Sequence, residues 1–226
     1  MNIQIRAAVT TSHTSASDVP AVPTDLLAYV GQIVPCTEAE GPGWRFAIWF
    51  QGCPLRCPGC CNPHFLPFNG GQQIPVADIV VLLDQAMQNH PQLEGITLLG
   101  GEPTAQAVAA AALAKAAWYR GLTVLMFSGY TLEQLQQRDD PAVSELLAHT
   151  DMLVDGPYDH NQPETRRRWI GSANQRLHFL SSRCQWDDRW LQKNTVEIRL
   201  RNKEITINGY PSSAVLAWSR KWLRRT

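Results

Sequence analysis

Apolar runs of strand length alternate with helical patterns along the middle of the chain, and this alternation predicts the fold. The run RFAIWFQ (45–51) leads directly into a loop rich in cysteine. Further apolar strands follow at GITLLGG (95–101), LTVLMFSGY (122–130) and DMLVDGPY (151–158), and QRLHFL (175–180) is a candidate for one more. Strands that alternate with helices over short linkers predict a mostly parallel sheet covered on its faces.

Helical patterns fill the intervals between these strands. Residues 76–89 carry a stripe of apolar side chains at Val76, Ile79, Val80, Leu83 and Met87. An alanine-rich helix is predicted over 105–119, and a third helix begins at TLEQLQQ, where Thr131 and Gln134 have the spacing of a capping box. We therefore expect an α/β domain.

The two ends of the chain depart from this alternation. Residues 1–24 are rich in Thr, Ser, Ala, Val and Pro without a sustained period, which predicts a flexible arm. Residues 25–226 are then predicted to form a single domain, with a core over 40–180 and a C-terminal extension over 181–226.

The extension has two predicted elements. Residues 194–211 contain two alternating stretches around Asn202 and Lys203, which predict a β-hairpin. Residues 212–226 predict a helix with apolar side chains along one side, at Val215, Trp218 and Trp222. We expect this tail to cap an exposed sheet edge, although a docking surface for a partner fits the same pattern.

Composition and charge narrow the class of protein. The 226 residues are enough to bury a core, and 44% hydrophobic and 18% charged residues are typical of a globular protein. Twenty basic residues balance twenty acidic ones, so the charge gives no indication of nucleic acid or a membrane as partner. The sequence shows neither a secretory signal nor an apolar stretch of membrane-spanning length. We therefore expect a cytoplasmic protein with reduced thiols.

The stretch GCPLRCPGCCNP (52–63) contains four of the six cysteines. In a reducing compartment such clusters bind metal or do chemistry more often than they form disulfides. Cys53, Cys57 and Cys60 have C-x3-C-x2-C spacing. A structural zinc and an iron–sulfur cubane normally take four protein ligands, whereas this loop offers three and no matching pair follows. The spacing therefore favours a cluster with one metal position left open.

The remaining cysteines leave alternatives open. Cys61 adjoins Cys60, and spacing alone also allows Cys53, Cys57 and Cys61 as the three ligands. Cys36 lies seventeen positions before Cys53 and is a candidate fourth ligand, with a buried free thiol as the alternative. Cys184 stands alone, and the sequence gives it no role.

Each of the four apolar strands ends in a loop that contains glycine: GC, GGEP, SGY and DGPY. The carboxyl ends of parallel strands lie at one edge of a sheet, where βα proteins place their sites. We therefore expect these four loops to converge on one rim, although glycine turns that the fold alone requires would look the same.

The cysteine spacing resembles the signature of the radical S-adenosylmethionine (SAM) superfamily. EGPGWR, GGEP, SGY, LVDGPY and WIGSANQR accompany it in family order between about residues 40 and 180. Together they are most similar to the branch that activates glycyl-radical enzymes, and there to the activators of anaerobic ribonucleoside-triphosphate reductase. The chain differs from that branch at Cys61, where an aromatic residue is common, and at Ile170 and Ala173, which replace an expected Arg and Ser.

The resemblance implies an oxidoreductase in which Cys53, Cys57 and Cys60 hold a 4Fe–4S cluster. The open iron would bind the amino and carboxylate groups of SAM. One electron, from reduced flavodoxin or ferredoxin, would then cleave SAM to methionine and a 5′-deoxyadenosyl radical. In this branch the radical removes hydrogen from a glycine of a partner glycyl-radical enzyme, here an anaerobic ribonucleoside-triphosphate reductase.

The same resemblance implies a cofactor site outside the cysteine loop. Gly100, Gly101 and Glu102 match the motif that binds the amino group of SAM, since a carboxylate and close backbone carbonyls suit an ammonium group. Ser128 in SGY and Asn174 in GSANQ are candidates for contact with the ribose, carboxylate or adenine. No catalytic side chain beyond the cluster and cofactor is implied.

The implied fold is an incomplete βα barrel of about five or six mostly parallel strands with the hairpin and helix as a C-terminal extension. Asp155 either faces the substrate or orders its loop, and RRRW (166–169) fits a solvated basic turn, with contact to an acidic partner surface as the alternative. Two other functions stay open: a small-molecule radical SAM enzyme similar to carboxy-deazaguanine synthase, and a non-enzymatic iron–sulfur or zinc module. The rim offers few acids or bases for a small substrate, which favours a macromolecular one.

Overall fold

The computed structural model of the protein describes Pro23, residues 25–201 and residues 204–209. The predicted arm before Pro23 and the predicted helix over 212–226 lie outside these residues, so both stay predictions, as does the division into arm, core and extension. None of the helices in the described ranges has the length and apolar character needed to cross a bilayer.

A seven-stranded sheet forms the centre of the fold. Its strands are β1 (Leu27–Thr37), β2 (Trp44–Phe50), β3 (Gln72–Pro75), β4 (Leu93–Gly100), β5 (Thr123–Phe127), β6 (Met152–Asp155) and β7 (Arg176–Phe179). Their order across the sheet is β3-β1-β2-β4-β5-β6-β7. β2, β4, β5 and β6 are parallel, which confirms the prediction from the apolar runs. β1, β3 and β7 pair with their neighbours in the antiparallel direction.

The sheet is open in the part of the chain that the structure describes. β3 and β7 form its two edges, and no pairing joins them. A closed barrel is therefore not formed by these strands. The strand order defines a mixed α/β fold with a parallel centre, and the incomplete barrel stays a prediction.

Four helices connect the strands: α1 (Val76–Asn89), α2 (Ala107–Tyr119), α3 (Leu132–Gln136) and α4 (Pro141–Ala148). α1 has the predicted bounds. α3 begins at the predicted capping box, in which the Gln134 amide donates to Thr131 Oγ1 and the Thr131 amide donates to Gln134 Oε1. α4 is an addition to the prediction, and it begins with Asp140 as N-cap and Pro141 in the first turn.

All four helices pack on the same face of the sheet. Their buried side chains share one apolar core with alternate residues of the strands, such as Phe46 and Ile48 of β2. The intervening residues, such as Trp49, point to the opposite face, part of which is covered by Ile170 and Trp190. Among the described residues, helices therefore cover a single face and leave the other to loops.

A separate hairpin follows the sheet in the chain. β8 (Val196–Arg201) and β9 (Glu204–Gly209) pair in the antiparallel direction, with Arg201 opposite Glu204. This confirms the hairpin predicted around positions 202 and 203.

Candidate functional site

The carboxyl ends of the four parallel strands surround a cavity of about 770 Å³. Its lining includes residues from every loop that follows these strands: Cys53 after β2, Gly100–Glu102 at the end of β4, Ser128 after β5 and Gly156 after β6. The expected convergence of the four glycine loops on one rim is therefore present. The sheet order alone explains it, because parallel neighbours end at the same edge.

The cysteine loop is fixed to the chain that follows it. The Gly52 amide donates to the Phe65 carbonyl at 2.8 Å, and the Cys53 amide donates to the Leu66 carbonyl at 3.0 Å. Inside the loop the Cys60 amide donates to the Cys57 carbonyl at 3.2 Å. These bonds hold Cys53, Cys57 and Cys60 in the cavity lining, as the sequence suggested.

The thiols of this loop differ in pKa. Burial raises the pKa of the Cys53 thiol. A hydrogen bond with the Cys61 thiol lowers the pKa of Cys60 to about 6, and the Asn62 amide, which donates to Cys60 Sγ at 3.4 Å, adds to the effect. The same bond raises the pKa of Cys61. Cys60 and Cys61 therefore form a hydrogen-bonded pair, and both lie in the cavity lining.

The donor set fits a cluster better than a single ion. No three His, Cys, Asp or Glu side chains within the described ranges converge as they would around one metal ion. A cubane has a different requirement, because each thiolate binds a separate iron. All four thiols of this loop, those of Cys53, Cys57, Cys60 and Cys61, line the cavity, so three of them are available to bind separate irons.

The other two cysteines lie elsewhere. Cys36 is buried and accepts a weak hydrogen bond from Gln92 Nε2 at 3.9 Å, and Cys184 packs near the core around Trp190. Neither thiol lines the cavity. Cys36 therefore fits the buried free thiol that the sequence left as an alternative.

Glu102 links two of the rim loops. Its carboxylate is buried, and Oε1 accepts from the Thr104 amide at 3.1 Å, the Thr104 hydroxyl at 2.7 Å and the Ser128 hydroxyl at 3.0 Å. Oε2 accepts from the Gly129 amide at 2.9 Å. Burial raises the pKa of Glu102, and these four bonds oppose that shift. Glu102 and Ser128 are thus joined directly, so the two predicted site residues form one unit.

Replacing Glu102 with glutamine should lower the free energy of unfolding by about 1–3 kcal/mol. Glutamine has one acceptor oxygen, so its amide nitrogen would face the Gly129 amide, which is also a donor. Denaturant unfolding of the anaerobic protein measures the change. Glu133→Gln is the matched control, since that carboxylate is exposed and should matter much less. Equal effects at the two positions would contradict the linking role of Glu102.

Gly100 and Gly101 permit a close approach of backbones. Gly100 has φ +103, and a Cβ at Gly101 would lie 2.3 Å from the Gly52 carbonyl oxygen. The Glu102 amide donates to that same carbonyl at 2.9 Å. The glycines therefore allow the GGEP loop to lie directly against the start of the cysteine loop.

Asn174 lies outside the cavity lining. Its side chain is exposed and donates to the Pro157 carbonyl at 2.8 Å. The neighbouring Gln175 lines the cavity instead, and its Oε1 accepts from the amides of Gly171 and Ser172 at 3.1 Å each. A cofactor contact for Asn174 therefore has no direct geometric support, and Gln175 is the residue that the sequence missed.

Asp155 orders the chain around it. Its carboxylate is fully buried and is bound by Arg176, whose Nη2 lies 2.6 Å from Oδ2, and by the Leu132 amide at 2.6 Å. His178 Nε2 lies 3.0 Å from the same oxygen. Asp155 thus joins β6, β7 and the start of α3, which favours the structural alternative left open by the sequence.

The RRRW segment requires a correction, because Arg168 is buried and not solvated. Its guanidinium donates to the Glu38 carbonyl at 3.1 Å and to the Thr195 hydroxyl at 2.6 Å, and it stacks over the Trp169 ring at 4.3 Å. Arg167 pairs with Glu164 through Nε at 2.6 Å. Partners distant in the chain remove Arg168 from solvent, and the local sequence does not reveal them, whereas Arg166 is exposed as predicted.

Glu40 is a cavity residue that the sequence analysis did not single out. It lines the cavity, and its Oε1 accepts from the Gly209 amide at the end of β9 at 2.7 Å. Burial raises the pKa of its carboxyl to about 7. Its place at the start of EGPGWR was the available signal, since the other matched stretches also supply rim residues.

The fold and the cavity define a class: an α/β protein with a four-cysteine loop at the carboxyl edge of its parallel strands, suited to one iron–sulfur cluster. The particular family agrees with that class. The model of the 4Fe-4S single cluster domain family matches residues 39–178, and the chain belongs to this family.

Several relatives share more than half of the chain. This chain is 29% identical over 150 residues to the anaerobic ribonucleoside-triphosphate reductase-activating protein of Enterobacteria phage T4. The alignment covers 65% of this chain and 90% of the relative. The proteins of the same name from Vibrio cholerae and Escherichia coli K12 are 28% and 27% identical. They cover 65% and 66% of this chain, and 95% and 97% of their own lengths.

Proposed function

We propose that this protein is a radical SAM activating enzyme that generates a glycyl radical on a partner enzyme, with anaerobic ribonucleoside-triphosphate reductase as that partner. The family membership and the names of the relatives support an iron–sulfur activating enzyme. The resemblance of the rim loops to the radical SAM branch supports the finer assignment.

One observation carries the proposal: the four thiols of a single loop line the same cavity as Gly100–Glu102 and Ser128. Cys53, Cys57 and Cys60 would hold the cluster and leave one iron without a protein ligand. When bound, the cluster supplies the one-electron reductive cleavage of SAM. A cavity of about 770 Å³ is of the size that small-molecule and cofactor sites require.

The chain's own residues would position SAM and exclude water. Trp49, Leu99 and Phe127 give the cavity an apolar wall, which keeps a reactive intermediate from solvent. Glu102 fixes the GGEP loop against the SGY loop, so it would hold rigid the backbone that binds the SAM amino group. Glu102 therefore acts in this proposal as a positioning residue.

We further propose that the sheet curves as a partial barrel with its helices outside and the cavity inside. The packing of all four helices on one face supports this arrangement. The open edge would admit a loop of the partner enzyme, and reduced flavodoxin or ferredoxin would supply the electron.

The test is spectroscopic. Protein reconstituted anaerobically with iron and sulfide should contain about four irons per chain and, after reduction, show a cubane EPR signal that changes when SAM is added. Binding of SAM at the open iron alters its coordination, which is the reason for the change. Stoichiometric zinc without iron, or a spectrum unaffected by SAM, would contradict the proposal.

Transfer of the radical is tested separately with the anaerobic reductase of the same organism. Mixing it with the reduced protein and SAM should produce a glycyl-radical EPR doublet on the reductase. SAM cleavage without any such doublet would instead favour the small-molecule radical enzyme.

A further inference from the structure

Arg138 lies in the linker between α3 and α4, outside the stretches that carry the family resemblance. The side chain is half-buried, and its contacts in the described part of the chain are with a hydroxyl and an aromatic ring. Nη1 donates to the Thr104 hydroxyl at 3.2 Å, and the guanidinium carbon lies 3.9 Å from the centre of the Tyr130 ring. Arg138 is therefore held by two residues that adjoin or belong to the rim loops GGEP and SGY.

The contact with Thr104 continues to the buried carboxylate of Glu102. The Thr104 hydroxyl has one proton, which it donates to Glu102 Oε1 at 2.7 Å. The hydroxyl oxygen can therefore accept the bond from Arg138 Nη1. Because hydrogen bonds in a chain polarise one another, a hydroxyl that accepts from a cation becomes a stronger donor. Arg138 thus strengthens the hold on Glu102 through Thr104.

The contact with the Tyr130 ring leads to the SGY and DGPY loops. The Tyr130 amide donates to the Ser128 hydroxyl at 3.1 Å, and that hydroxyl donates to Glu102 Oε1 at 3.0 Å. The Tyr130 carbonyl accepts from the Gly156 amide at 3.2 Å. A guanidinium over the face of an aromatic ring is attracted by the electrons of that face. Arg138 therefore helps to fix two further rim loops.

Together these contacts close a ring of interactions around Glu102. The ring consists of Glu102, Thr104, Arg138, Tyr130 and Ser128, in that order. Thr104, Tyr130 and Arg138 lie outside the cavity lining, so they support the rim without facing the site. Supporting contacts of this kind hold the groups that bind a ligand in one geometry.

We propose that Arg138 is a positioning residue for SAM. Through the Thr104 hydroxyl and the Tyr130 ring, it holds the GGEP and SGY loops in the arrangement that binds the SAM amino group. The inference rests on the proposed function, in which Gly100–Glu102 bind that group. Because Arg138 lies outside the cavity lining, its loss should weaken the binding of SAM and leave the cluster in place.

The experiment replaces Arg138 with methionine, which keeps a long side chain and removes its charge and its donors. The Kd for SAM, measured from the EPR change of the reduced cluster, should rise about tenfold, because loss of a group that orients a ligand typically costs 10–100-fold. KM for SAM should rise in parallel, while kcat at saturating SAM and the iron content should stay within about twofold of the wild type. Arg138→Lys should give an intermediate Kd, since lysine keeps the charge but not the planar fork.

Hydrogen exchange of the anaerobic protein without SAM gives a readout that does not depend on turnover. The Gly129 amide donates to Glu102 Oε2, and the Tyr130 amide donates to Ser128 Oγ. Exchange of the segment 128–130, followed by mass spectrometry, should therefore accelerate severalfold in Arg138→Met. A loosened SGY loop would connect the change in SAM affinity with the ring of interactions.

Arg183→Met is the matched control, because Arg183 makes the same two kinds of contact elsewhere. Its guanidinium carbon lies 4.1 Å from the centre of the Trp118 ring, and Nη2 donates to the Leu122 carbonyl at 2.7 Å. None of these three residues lines the cavity. Arg183→Met should therefore leave the Kd for SAM and the exchange of the segment 128–130 unchanged.

The outcomes separate the two proposals. A wild-type Kd for SAM, or wild-type exchange of the segment 128–130, in Arg138→Met would overturn this inference and leave the proposed function intact. Wild-type protein that neither binds nor cleaves SAM would remove the proposed function, and this inference with it. Loss of iron in Arg138→Met, or an equal rise in Kd in Arg183→Met, would show a general effect on stability, which also overturns the inference.

Discussion

Cys57→Ala should reduce SAM cleavage by more than about one hundredfold and leave the protein with little iron after reconstitution. Loss of a residue that merely supports a metal ligand typically costs 10–100-fold, so loss of a ligand should cost more. With Cys53 and Cys60 as the two remaining ligands, a cubane would have two irons without protein ligands. The measurements are iron and sulfide content, and the rate of methionine release under reducing conditions.

Cys61→Ala is the matched control, because it removes the adjacent thiol of the same loop. Hydrogen bonding between the two thiols lowers the pKa of Cys60 and raises the pKa of Cys61. Its removal should retain most of the iron and most of the SAM cleavage. The reverse outcome, an inactive Cys61→Ala protein and an active Cys60→Ala protein, would show that Cys61 is the third cluster ligand in place of Cys60.

The parallel centre of the sheet could be predicted from the sequence because its signals are local. β2, β4, β5 and β6 are short apolar runs that end at glycine turns, and α1 has a clear helical stripe. The capping box at Thr131 likewise needs only residues three positions apart. Each of these features depends only on residues within one segment of the chain.

The direction and neighbours of the outer strands could not be predicted in this way. β1 is a long strand that pairs with β2 on one side and with β3 on the other, both antiparallel. An apolar pattern states that a segment is a strand, but not which strand lies beside it. For the same reason the packing of all helices on one face was not predictable.

Buried polar groups were the hardest feature to predict. Arg45 is fully buried, and its guanidinium donates to Thr97 Oγ1 at 3.2 Å and Thr123 Oγ1 at 2.6 Å. Burial lowers the pKa of Arg45 to about 10. Its partners lie on two other strands, so only the folded sheet shows that the charge is satisfied.

The candidate site follows the same division between local and distant signals. The loops with Cys53 and Glu102 were predictable because each carries its own motif, and the parallel strands bring them together. The place of Glu40 and of the β8–β9 hairpin at the cavity was not predictable, since it depends on the bond between Gly209 and Glu40, which joins positions 169 apart. Long-range contacts of this kind have no signature in either segment alone.

Gly101→Ala should disconnect the cysteine loop from the GGEP loop and abolish cluster-dependent SAM cleavage. The added Cβ would lie 2.3 Å from the Gly52 carbonyl oxygen and 2.9 Å from the Phe65 carbonyl oxygen. Both contacts are to backbone, so no side-chain rotation can relieve them. Overpacking of this kind costs about 1–3 kcal/mol, and the two loops must move apart to avoid it. Iron content and methionine release report the loss.

Gly121→Ala separates this effect from a general loss of stability. Gly121 has φ +78, so alanine there is strained by about 1–2 kcal/mol, yet its Cβ would meet no atom within 4 Å. The two variants should therefore have similar free energies of unfolding. Gly121→Ala should retain its iron and SAM cleavage, whereas Gly101→Ala should lose both. Because the Gly101 and Glu102 amides donate to the Phe50 and Gly52 carbonyls, any movement at Gly101 displaces the start of the cysteine loop. A Gly101→Ala protein with wild-type iron and SAM cleavage would show that the cluster does not depend on this contact.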